Sequence, residues 1–278
     1  MAKRYNINTV RYLQGASPTS PIFNAGTARN QPGSKTSPNQ DLGPTILTTP
    51  SSFKLSTRSF GPKRKKEVIT QVYLHHTAGH QRADKGEKTV GSFNKRRVST
   101  HTIIDANGHI EYCVPWEHWS YGQGIKGSKI RFNKIAMSTE IQALGYFKYR
   151  ANARNEEDPN GQFWSRGSTK IPIAEAVSPV DFNGKAIKYK YSIYQAYTPA
   201  QVASCIKWIK DCLTQFNIKW HFDQEAYNEM FPPKGQTSKK AKAGVPGVYS
   251  HNSVKPGKSD IFPDPLLIKA LKKNFPKK

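Results

Sequence analysis

Long apolar runs are missing from this chain. A membrane-crossing helix needs about 20 consecutive apolar residues, and none of the 278 residues belongs to such a stretch. Acids are scarce as well: 19 Asp and Glu stand against 43 Lys and Arg, giving a formal net charge of +24 and a pI near 9.9. That imbalance bears on partners and encounter rates, not on fold. It points to polyanions, namely nucleic acid, anionic lipid or the bacterial envelope. The signatures of nucleic-acid readers are absent, with no zinc finger, no helix-turn-helix pattern and no aromatic RNA-binding motif, so nucleic acid is not the partner expected. Cysteine is rare: Cys113, Cys205 and Cys212 make neither a disulfide framework nor a metal knuckle. Cys205 and Cys212 lie seven apart on one face of a helical pattern and read as small buried apolar residues. Hydrophobic content is 36% and mean hydropathy −0.69, low enough that part of the chain is expected to stay outside a packed core. The N-terminus is basic but lacks the apolar stretch and cleavage site of a secretory signal. The expectation is synthesis in the cytoplasm and export, if any, by another route.

What is present divides in two. Residues 1–66 carry seven prolines among Ser, Thr, Asn and Gly, with Asp41 as the single acid. Such a segment cannot bury enough surface to offset its ordering entropy. It reads as a flexible tail or as an extended docking arm, and Pro62-Lys63-Arg64-Lys65-Lys66 as the solvated linker that closes it. Residues 67–278 read as one α/β domain with a central mixed sheet flanked by helices. Val68 to His75 is a β-branched and aromatic run, a central strand with His75 at its C-terminal end. Residues 88–97 form a short helix with Val90 and Phe93 inward. Val98 to Ile104 is the next strand, Asp105-Ala106-Asn107-Gly108 a hairpin turn, His109 to Pro115 its partner, and Ile135 to Gln142 another strand. An aromatic, irregular insertion with some hairpin content runs from about 144 to 194. Thr198-Pro199 starts a helix with a capping hydroxyl and proline at the first position, continued by Val202, Ile206, Ile209, Leu213 and Phe216 at helical spacing. Residues 232–246 read as a basic loop, and Pro265 to about Lys273 as a final helix.

The chemistry concentrates in two distant segments, Leu74-His75-His76-Thr77-Ala78-Gly79 and His251 through Asp260. Together they offer imidazole, imidazole and carboxylate, the kind of three-ligand set that a catalytic zinc takes while leaving a fourth position for water. Glu140 is an acid in an acid-poor chain, set in an otherwise small and apolar strand. Trp116, His118, Trp119 and Tyr121 follow the hairpin next to Gly122, a pattern that suits a shaped aromatic loop.

The order of these pieces resembles the type 2 family of zinc-dependent N-acetylmuramoyl-L-alanine amidases, which includes phage endolysins and catalytic peptidoglycan recognition proteins. The resemblance is carried by Leu74 to Gly79, Val98 to Asp105, Ser138-Thr139-Glu140-Ile141, Tyr197 to Gln201, and Ser250-His251 through Lys258-Ser259-Asp260, over roughly residues 67–270. It implies His75, His251 and Asp260 as zinc ligands, with His76 buried on the other face of its strand. It implies Glu140 as the general base and Lys258 as the group that stabilises the oxyanion. The spacing from His251 to Asp260 is one residue shorter than is usual in the family. Thr100 stands where many relatives have a tyrosine, and with His101, Trp116, Trp119 and Tyr121 it is expected to border the substrate groove. The implied activity is hydrolysis of the amide between N-acetylmuramic acid and L-alanine in peptidoglycan. Phage lysis or a virion-associated role is the expected setting, with residues 1–66 docking on a particle or injection machine. The competing reading is a non-catalytic peptidoglycan-binding or structural tail component, which predicts a broken ligand set.

Overall fold

The computed structural model describes residues 60–123, 131–147, 163–166, 169–172 and 175–277. All described residues belong to one compact unit. Most of the proposed arm, residues 1–59, lies outside the described residues.

In chain order the elements are β1 (Phe60–Lys63), β2 (Gln71–His76), α1 (Glu87–Arg96), β3 (Thr102–Ile104), β4 (Ile110–Tyr112), β5 (His118–Ser120), α2 (Arg131–Lys134) and β6 (Ala136–Ile141). Within the insertion come β7 (Tyr146–Phe147), β8 (Phe163–Arg166), β9 (Thr169–Pro172), β10 (Ala176–Val177) and β11 (Ile193–Gln195). Then follow α3 (Pro199–Gln215), α4 (Gln224–Met230), α5 (Lys239–Ala243), β12 (Gly247–Ser250), α6 (His251–Val254) and α7 (Pro265–Asn274).

The central sheet has the order β12-β2-β6-β3-β4. Its first four strands are parallel, and β4 returns antiparallel through the Asp105 turn. Every residue of β2 and β6 is buried, as parallel strands covered on both faces require. Alternation then sorts the side chains. Val72, Leu74, Met137 and Ile141 join the main core, where α3 and α7 contribute Val202, Ile206, Trp208, Ile209, Leu267, Ile268 and Leu271. Tyr73, His75, Ser138 and Glu140 take the opposite face, because Tyr73 pairs with Ser138 and His75 with Glu140. On that face Ile103 packs with Phe60, Val90 and Phe93, so α1 and β1 partly cover it.

The capping hydroxyl expected at Thr198 is present and is half of a capping box: it accepts from the Gln201 backbone N–H at 3.0 Å, and the Gln201 side chain accepts from Thr198 N–H at 3.0 Å. Cys205 and Cys212 are free, buried and on the core side. His76 is buried on the core face beneath Gly145, whose φ is +80°. A Cβ there would come within 2.5 Å of the His76 ring, so only glycine closes that turn.

Two expectations fail. Residues 232–246 are not a simple loop. Ser238 caps α5 by accepting from Ala241 N–H at 2.7 Å, Gly244 ends it in left-handed geometry, and buried Gln71 donates to the carbonyls of Ala241 and Val245. The capping serine and terminal glycine outweigh the run of lysines, of which Lys240 pairs with Glu225 at 2.6 Å.

The second concerns Pro62 to Lys66. Strand β1 pairs antiparallel with β5, and Gly61 sits under the Trp119 ring, where a Cβ would approach to 2.0 Å. Arg64 turns into the fold. Its Nε donates to Trp116 O at 2.9 Å, and Nη1 donates to Lys134 O and Ala136 O at 2.8 Å and to Asn133 O at 3.3 Å. It thereby satisfies carbonyls left open at the end of α2. Burial draws its pKa down, and it still carries its charge at neutral pH.

Candidate metal centre

The site forms where the C-terminal ends of β2 and β12 lie side by side. Ser250 is in register with Leu74, so the residues that follow them, His251 at the start of α6 and His75 in β2, come together. His75 is fully buried and His251 nearly so. Asp260 arrives on the loop after α6. His75 Nδ1 lies 3.1 Å from His251 Nδ1 and 3.5 Å from Asp260 Oδ2, and His251 Nδ1 lies 2.7 Å from the same oxygen. The two rings meet edge to face with centroids 4.7 Å apart.

The protons on these atoms show what is missing from the triad. His251 Nε2 lies 2.9 Å from the backbone carbonyl of Gln123, which can only accept, so that nitrogen carries the hydrogen. In the neutral ring Nδ1 is then a bare lone pair. It faces a carboxylate oxygen and a second imidazole nitrogen, an arrangement that requires a shared proton or a cation. Two ligands bonded to one tetrahedral zinc at the usual lengths sit about 3.3 Å apart, close to the three separations seen. Among the described residues, His75, His251 and Asp260 converge as a group that could hold a metal ion, and the donor set fits zinc.

Burial first, and then the neighbouring His251, pull His75 down to about 4 against the opposing pull of Asp260. His75 is thus an unprotonated donor at neutral pH. Burial pushes Asp260 up, but its close neighbours His251 and His75 outweigh that and hold the carboxyl well below the usual range. Glu140, in register with His75 on the same sheet face, is 9% exposed, and its Oε2 has no hydrogen-bond partner. Burial, followed by the Asp260 charge, raises its carboxyl well above the normal value, while Lys258 and Arg96 pull the other way. Lys258 is half-buried and close enough to act electrostatically on both His75 and Glu140.

With this geometry in hand, the sequence pattern of the N-acetylmuramoyl-L-alanine amidase family (Amidase_2) matches residues 64–260. The chain belongs to that family. Among curated proteins none matches. Three solved structures are similar to this chain. A selenomethionine derivative of AmpD is 13% identical, covering 81% of this chain and 97% of its own, with a TM-score of 0.39. LysC from Clostridium intestinale URNW is 14% identical (83% and 97%, TM-score 0.37). AmiD from E. coli, solved with anhydro-N-acetylmuramic acid-L-Ala-D-gamma-Glu-L-Lys, is 12% identical (76% and 91%, TM-score 0.35).

The other residues expected to border the groove have these surroundings. Thr100 and His101 do not line an open groove, because both are buried with their polar atoms engaged. Thr100 donates to Ser138 O at 2.9 Å. His101 Nδ1 accepts from Ser138 N–H at 3.0 Å, which leaves the hydrogen on Nε2 for His118 O at 3.0 Å. Burial and the adjacent Arg64 guanidinium, 2.9 Å away, push His101 well below its usual pKa. Trp119 is buried over Gly61, and Trp116 packs on Phe216 in the main core. Tyr121 is half-buried, edge-on to Trp119.

Three residues that sequence reasoning missed support the site. Gln123 orients His251. Asn252 Nδ2 donates to Asp260 O and to Ile261 O. Lys190 from the insertion is 7% exposed, and its Nζ contacts Asn252 Oδ1 at 2.9 Å, Lys258 O at 2.5 Å and Pro256 O at 3.5 Å. The family membership makes the chain an N-acetylmuramoyl-L-alanine amidase acting on peptidoglycan. Among the described residues no helix is long and apolar enough to cross a membrane.

Proposed function

We propose that this amidase is zinc-dependent and cuts the amide between the lactyl group of N-acetylmuramic acid and the L-alanine of the stem peptide. The observation that carries the reading is the convergence of His75 Nδ1, His251 Nδ1 and Asp260 Oδ2 beside an unpartnered buried carboxyl, Glu140. Those three residues would hold zinc, which when bound supplies Lewis acidity that makes water acidic near neutral pH and polarises the scissile carbonyl. Glu140 takes the proton of the attacking water and returns it to the departing amine nitrogen of L-alanine. A carboxyl with a raised pKa suits both halves of that transfer at neutral pH. The Lys258 ammonium stabilises the negative charge that grows on the carbonyl oxygen. Gln123 O holds the His251 ring so that its Nδ1 stays turned toward the other two donors.

The +24 charge suits a polyanionic wall. The setting we infer is phage lysis or a virion-associated wall-degrading enzyme, with the segment before Phe60 as an attachment arm. Removing residues 1–59 is then expected to leave wall hydrolysis intact and to abolish recovery of the protein with particles.

The test of activity is release of N-terminal L-alanine from purified peptidoglycan, with and without a zinc chelator, for the native chain and Glu140→Ala. Release that the chelator stops and zinc restores, reduced about 10²–10⁴-fold in the variant, is the expected result. Release that survives complete chelation overturns the zinc reading. Full release by Glu140→Ala removes Glu140 from its role.

A further inference from the structure

The loop that brings Asp260 to the histidines has little to hold it. Lys255, Pro256 and Gly257 are exposed, and the loop has no strand or long helix to stiffen it. Its anchor comes from the insertion. The three acceptors around Lys190 Nζ belong to Asn252, Pro256 and Lys258, so one ammonium spans the loop from just after His251 to just before Asp260. An ammonium has three donors, and here each is committed. The bond to Asn252 also settles which way that amide points. With Oδ1 taken by the lysine, Nδ2 is left to donate to the backbone carbonyls of Asp260 and Ile261. Lys190 and Asn252 therefore form a two-link clamp from the insertion to the main chain of the third ligand. The buried charge also faces Asp260 electrostatically.

We propose that Lys190 is a positioning residue for the metal centre: through Asn252 and the 256–258 carbonyls it holds Asp260 against His75 and His251. The proposal rests on those three residues being the zinc ligands. It gives part of the insertion a purpose, since the lysine adds the rigidity that the ligand loop lacks. Metal-site supports that act through a ligand typically change affinity by about 10–100-fold, and that is the effect expected here.

The experiment uses the full chain, stripped of metal and titrated with zinc against a chromogenic chelator. Lys190→Met is expected to weaken zinc binding about 10–100-fold. Lys190→Gln, which keeps a donor without the charge, should fall between it and the native chain. Cobalt(II) substitution supplies a second readout. A displaced carboxylate ligand should weaken and shift the visible absorption of the Lys190→Met protein. A merely architectural lysine would lower the metal-free thermal midpoint but leave zinc affinity and the cobalt spectrum unchanged, and that result overturns the proposal. If Lys190→Met does not fold, native affinity in Lys190→Gln overturns it equally. Failure of the native chain itself to bind zinc is seen before any substitution, overturns the ligand reading, and takes the clamp with it.

Discussion

Replacing Arg64 with methionine is expected to destabilise the fold by about 3–5 kcal/mol. The guanidinium makes three short bonds to main-chain carbonyls, of Trp116, Lys134 and Ala136, and a longer one to Asn133. The Lys134 contact is exposed, so water replaces it at little loss. The Trp116 and Ala136 carbonyls are more enclosed. Hydrogen bonds to a charged group contribute about 1.5–3 kcal/mol each, so those two alone account for about 3–6. Methionine keeps an apolar stem and removes the burden of a desolvated charge, which returns part of that. For a domain of this size each kcal/mol shifts the midpoint by roughly 2–4 °C, so the fall should be roughly 6–20 °C. Lysine should rescue only in part, because a point donor cannot reach carbonyls on both sides as a planar fork does. The assay is thermal and urea unfolding of the native chain, Arg64→Met and Arg64→Lys under one buffer. A loss below about 1 kcal/mol, the size of a surface ion pair, would refute the argument and return Arg64 to the solvated linker that the sequence suggested.

Other outcomes follow from the same structure. Lys258→Met should lower kcat roughly 10²-fold or more with zinc content unchanged, and loss of zinc would make the lysine structural. Thr198→Ala should cost about 1 kcal/mol in urea unfolding, and no change would show that α3 does not depend on its cap. His101 is held well below the usual histidine pKa. The unfolded chain therefore binds a proton that the folded chain refuses as pH drops below about 6.5, and the stability present above that pH is lost below it. The thermal midpoint should fall from pH 7 to 5, less steeply in His101→Gln, and identical slopes would clear His101 of the effect.

The residues proposed as ligands stood out in the sequence because each sits next to something that sets its place. His75 lies at the end of one hydrophobic strand, His251 directly follows another, and Asp260 closes a short loop. Glu140 stood out against a chain nearly empty of acids. The same reasoning could not see Arg64 or Lys190. In a chain with 43 cations a single one carries no local signal, and the partners of these two are carbonyls 52 to 72 and 62 to 68 positions away. Trp119 looked like groove lining because an aromatic beside glycine often is. Its actual partner, Gly61, lies in a segment whose composition reads as unpacked. Thr100 and His101 went astray for a similar reason. Position in a motif places them near the site, whereas the hydroxyls of Ser120 and Ser138 that bury them come from two other strands.

The two histidines are 176 residues apart in sequence, one on the first strand of the central sheet and the other immediately after its last. Closing so long a loop carries an entropic penalty that only the completed ladder between β2 and β12 repays. A chain still lacking its final thirty or so residues owns His75 and Glu140 but no place for a metal. On the proposed ligand reading, metal uptake reports on the closing of that ladder, and a C-terminally clipped copy does not bind.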